Sequence, residues 1–85
     1  MPVSNTSIVE RIARVIAGRV VSINAEGDDP SAGDRVDSIW RDFRDDACAI
    51  LRTLREPDRA MAEAGDPAMW ERMVLAALEE EGASA

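Results

Sequence analysis

Eighty-five residues suffice for one small domain and bury a smaller share of their surface than a large protein would. A hydrophobic share of 46% is too high for a disordered chain. A net charge of −7 argues against general DNA or RNA binding and against anionic membrane surfaces, and is compatible with a basic protein partner or with mimicry of a phosphate backbone.

All ten basic residues are arginine, and the chain has no Lys, His, Tyr or Gln. Acid–base catalysis near neutral pH usually draws on a group from that missing set, so an enzyme is not expected. Cys48 is the single cysteine, which excludes an intrachain disulfide and a zinc cluster. The opening MPVSNTSIVER lacks the basic segment and apolar run of a signal peptide. No stretch approaches the ~20 apolar residues of a membrane span, so the cytoplasm is the expected location.

In chain order, residues 1–6 read as a flexible tail, 7–81 as a single helical domain and 82–85 as a second tail. Ser7-Ile-Val-Glu10 has the spacing of a capping box. Ile8, Ile12, Val15, Ile16, Val20 and Ile23 then repeat with a helical period, and Val9 and Ala13 widen the arc. Gly18 is unfavourable inside a helix, and Arg19 projects into the apolar arc. Either the helix stops near Gly18, or it runs to Asn24 with Arg19 paired to an acid; the second is preferred, because Val20 and Ile23 stay on its face. Ala25 to Gly33 reads as a loop, with Ser31 or Asp34 able to cap the next helix. Its acids Glu26, Asp28 and Asp29, with Asp34 and Asp37, do not meet calcium-loop spacing, since Pro30 and Ala32 fall where oxygen donors are required.

Residues 34–55 predict one long amphipathic helix. Val36, Ile39, Trp40, Phe43, Ala47, Ile50, Leu51 and Leu54 share an arc of roughly 120°. Arg41, Arg44, Arg52 and Arg55 occupy one flank; Asp42, Asp45 and Asp46 lie towards the other. Pro57 ends this helix and suits the first turn of a short one, 57–64, closed by Gly65. Asp66-Pro67 then opens a last helix, 67–80, striped by Trp70, Met73, Val74, Ala77 and Leu78. Glu79, Glu80 and Glu81 sit at its negative end and should fray it. The expected fold is all-α, a bundle of three main helices plus one short helix, possible as a dimer, with a core of Ile12, Ile16, Trp40, Phe43, Ile50, Leu54, Trp70, Val74 and Leu78.

Four guanidiniums on one flank are able to hold a phosphate, a nucleotide or an acidic helix. The simpler reading is intrahelical pairing, Asp37 with Arg41, Arg41 with Asp45 and Arg52 with Glu56. Cys48 has cationic neighbours that favour thiolate, but no resolving cysteine or base; it reads as a small residue at a helix contact. Trp40 and Trp70 read as core. Met61, Met69 and Met73 are suited to an adaptable groove for a partner, and Met69 and Leu75 lie outside the main arc of the last helix, which suggests a second contact surface or a dimer interface. No cofactor or metal is expected.

The segments IVERIARVIAG (8–18), ACAILRTLREPDRAMAEAG (47–65) and MWERMVLAAL (69–78) resemble a group of small proteins of unknown function common in alphaproteobacterial genomes, phages and prophages. Between Gly65 and Trp70 this chain is shorter than many of them. The resemblance implies no activity and no catalytic residues. It does imply a phage context, in which small acidic proteins often bind and block a host protein. The expected function is therefore a non-enzymatic acidic binding protein. Asp42, Asp45, Asp46, Glu79, Glu80 and Glu81 would stand in for phosphates against a basic, nucleic-acid-binding partner. The alternatives are an oligomer that sequesters a nucleotide or small molecule with Arg41, Arg44, Arg52 and Arg55, and a structural assembly subunit.

Overall fold

A computed structural model describes residues 3–25 and 32–84. The described chain is all-α, with no strand: α1 (Ile8–Ala25), α2 (Ala32–Ile39), a 3-10 turn (Trp40–Phe43), α3 (Arg44–Leu54), α4 (Arg59–Ala64) and α5 (Pro67–Ser84). It divides into two compact units, Met1–Ala47 and Cys48–Ala85. The possible cap Ser31 and the acids Glu26, Asp28 and Asp29 lie outside the described residues.

In the first unit α1 packs on α2 and on the 3-10 turn. The Ser7 hydroxyl accepts from the Glu10 amide at 3.1 Å, the first half of the capping box, while the Glu10 carboxylate turns to Arg14. α1 is continuous through Gly18, the preferred of the two alternatives, but its inner face differs from the expected one. Val9, Ala13, Ala17 and Val21, each one turn from the next, are buried along α1 among the residues whose side chains are described. Ile12 and Ile16 are half-buried, and Arg19 is exposed beside Arg11 and Val15 rather than set in the apolar arc. The cause is steric. A ridge at i, i+4 steps with alanines at its middle lets a neighbouring backbone approach closely, and the larger isoleucines then fit at the margins.

The expected long helix 34–55 is interrupted. Trp40–Phe43 takes 3-10 geometry between α2 and α3. A 3-10 turn advances about 120° per residue against about 100° for α-helix, so four residues add roughly 80° of phase. The face of α3 shifts accordingly. Ala47 and Leu51 are buried, Arg44 and Cys48 half-buried, while Ile50 and Leu54, expected in the core, are about 40% exposed.

In the second unit, Leu51 and Val74 are the buried side chains. α4 begins later than expected: Asp58, not Pro57, supplies the N-cap, its carboxylate accepting from the Met61 amide at 2.9 Å. Pro57 sits just outside the helix. Asp66 caps α5 as expected, accepting from the Ala68 amide at 3.0 Å and the Met69 amide at 3.3 Å, with Pro67 at the first helical position. α5 then runs through the Glu79–Glu81 segment to Ser84 instead of stopping at 80.

This packing makes two stability changes predictable. A methyl group at Gly18 would meet only Val36 Cγ2, at 4.0 Å. Gly18→Ala should therefore stabilise the chain by about 0.5–1 kcal/mol, read as a higher urea midpoint. Trp40→Ala should destabilise it by about 3–5 kcal/mol, read as loss of far-UV helicity at lower temperature; a midpoint within measurement error of the parent would refute the role given to Trp40.

Candidate functional site

The first unit is organised around one buried aromatic ring. The 3-10 turn presents Trp40, 8% exposed, and two guanidiniums lie on it: Arg41 at 4.6 Å and Arg14 at 5.2 Å from the ring centroid. Arg14 is held by α1 and α2 together. Its Nε donates to Glu10 at 2.8 Å within α1, and its NH1 donates to Asp37 of α2 at 2.6 Å. The bonds to Asp37 first, and then to Glu10, raise the Arg14 pKa above its ordinary value, so its charge persists at every pH at which the chain would be handled.

This geometry revises the local pairing expected from sequence. Asp37 pairs across to Arg14 rather than with Arg41, and Arg41 lies over the indole. Of the arginine flank, Arg41 and Arg44 belong to the first unit, and Arg52 and Arg55, both exposed, to the second. Asp42, Asp45 and Asp46 are all exposed. Asp45 and Asp46 occupy the first turn of α3, where their charge also favours the helix dipole. Glu79 and Glu80 are exposed and Glu81 is half-buried, all on α5. Among the described residues no group of three or more His, Cys, Asp or Glu side chains is arranged to hold a metal ion.

The second unit carries a shaped concavity. Its helices α4 and α5 are joined through Gly65 and Asp66. Between them lies an open groove of about 380 Å³. Pro57, Met61 and Ala64 form one wall, Gly65, Asp66 and Pro67 the end, and Met69, Trp70 and Met73 the other wall. The three methionines are 38%, 44% and 62% exposed in that order. Gly65 is in extended backbone, φ −159°, which any residue adopts, and a side chain there would meet nothing within 4 Å.

Trp70 sets the far wall. It is half-buried, and its indole Nε1 donates to the Leu54 carbonyl at 2.6 Å. Leu54 is the last residue of α3, whose final carbonyls have no partner within their own helix. The bond therefore satisfies an orphan acceptor, ties α5 to the end of α3, and fixes the ring that the methionines flank. The expectation of a methionine-lined groove located Met61, Met69 and Met73; it did not find Trp70, which read as core, nor the two prolines that frame the site.

Trp70→Phe keeps the ring and deletes the donor. It should lower the stability of the second unit by about 1 kcal/mol, and more if the carbonyl is left dry, seen as earlier amide exchange at α3 and α5. Unchanged exchange would show that the bond holds nothing in place.

No helix among the described residues is long and apolar enough to cross a membrane. Comparison with protein-family models, with curated proteins and with solved structures finds no match for this chain.

Proposed function

We propose that the chain is a non-enzymatic acidic binding protein, phage-related, that engages or inhibits another protein. The observation that carries this reading is the groove of the second unit. Three of the seven large apolar side chains exposed among the described residues, Met61, Met69 and Met73, line it together with Trp70, and Ile50 and Leu54 are exposed elsewhere in the same unit, against two buried ones, Leu51 and Val74. Apolar surface gathered in this way marks an interaction site more often than a scatter of single residues does. Methionine suits it, because an unbranched, polarisable side chain adapts to the shape of what it meets.

The charge supports a cationic partner. At −7 the chain attracts basic surfaces and repels nucleic acid, and Asp42, Asp45 and Asp46 project from the first unit as exposed carboxylates. A protein that normally holds nucleic acid presents the complementary surface.

The test is affinity capture from cells that carry the gene, followed by elution with salt and with competing double-stranded DNA. The captured protein should be released by both, and the double variant Asp42→Arg, Asp46→Arg should retain about tenfold less of it. Capture indifferent to salt and to these reversals would overturn the phosphate-mimicking reading. Thermal stabilisation by nucleotides, abolished by reversal of Arg44 and Arg52, would replace it with the anion-binding alternative.

A further inference from the structure

We infer that the groove between α4 and α5 takes a cationic amphipathic helix, with apolar side chains one turn apart set against Met61, Met69, Trp70 and Met73. This deepens the proposal of a protein-binding role and rests on it.

Three observations choose this occupant. The first is backbone chemistry. The groove is walled by two helices whose main-chain groups already bond within their own elements, with the first amides of each capped by Asp58 and Asp66. It offers no strand edge to pair with an extended segment, whereas a helix arrives with its own amides and carbonyls satisfied. The second is the aromatic donor. Grooves that read extended proline-rich segments depend on an aromatic ring whose polar atom faces the ligand; here the Trp70 N–H is committed to the Leu54 carbonyl. Only the ring's apolar surface remains for the ligand, which suits aliphatic anchors.

The third is charge. The stretch from Glu56 to Met73 that builds both walls carries five carboxylates against two guanidiniums, Arg59 and Arg72. The second unit as a whole has eight carboxylates against four arginines. An incoming helix with Lys or Arg flanking its apolar stripe meets a unit in which carboxylates outnumber guanidiniums two to one, with Asp66 in the groove lining itself. A second copy of this chain would bring like charge to the same place, which disfavours self-association there.

The probe is a fluorescein-labelled Leu/Lys peptide of about 14 residues with helical periodicity, compared with its Leu/Glu counterpart of identical apolar pattern. Binding to the full chain is read by anisotropy at about 50 and about 300 mM salt, with sedimentation in parallel. Met73→Glu places a charge in the groove at a position already exposed. Val15→Glu adds the same charge to an exposed apolar site in the other unit, and so controls for net charge.

The expected result is binding of the Lys peptide, no binding of the Glu peptide, a loss of about tenfold or more with Met73→Glu and less than about twofold change with Val15→Glu. If Met73→Glu and Val15→Glu both leave the Lys peptide's affinity unchanged, attraction is diffuse and the site is overturned. If the Glu peptide binds equally well and Met73→Glu abolishes both, the groove is a docking site but its preference for cations is wrong. Absence of binding by either peptide overturns this inference and the groove reading together. A dimer dissolved by Met73→Glu would give the groove to a second copy and overturn the inference alone.

Discussion

The contact on which the first unit depends is the one between Trp40 and Arg14. The indole is the largest buried group among the described residues, and it comes from a four-residue turn with no long helix of its own to anchor it. Arg14 holds it from above. Because that guanidinium is also bonded to Glu10 and to Asp37, one side chain joins α1, α2 and the turn. The arrangement suits arginine and not lysine: the planar fork donates in two directions while its central carbon stands over the ring, 5.2 Å from the centroid. Exposed ion pairs contribute little singly. The weight here comes from one cation positioned by two carboxylates over a ring that is itself 8% exposed.

The second unit works differently. Its buried large side chains are Leu51 and Val74, and it depends on end-to-end devices. Asp58 and Asp66 cap α4 and α5, and the Trp70 N–H closes the end of α3. These local bonds shape α4 and α5 without consuming their apolar faces. A unit held by caps keeps its methionines outside, and the groove is the result.

Much of the all-α architecture is legible in the residues, and the misses have identifiable physics. The capping serine at position 7 and the Asp66-Pro67 start are short-range signals, and they read correctly because their partners lie within one turn. At Pro57-Asp58 two start signals are adjacent, and the aspartate prevails as cap because only its carboxylate can bond the Met61 amide. The face of α1 is misjudged from sequence because periodicity weighs isoleucine above alanine, whereas close helix approach selects Ala13 and Ala17. The bonds that organise the first unit span 23 residues from Arg14 to Asp37, and i, i+4 pairing rules point Asp37 at Arg41 instead. In the groove, the methionine spacing is visible, but the bond by which Trp70 fixes one wall to the end of α3 is tertiary, and no periodicity encodes it.

The turn at Trp40–Phe43 contains neither glycine nor proline, so nothing in WRDF alone forces 3-10 winding. Its tightness acts as a gear between two helices of different phase. Removing one residue there would turn the start of α3 by about 120°, carrying Ala47 outward and a new side chain inward. Substitutions that keep this segment's length leave that gearing intact, whereas any change of length strips it. Chain length across those four positions is thus under tighter physical control than their chemistry, Trp40 excepted.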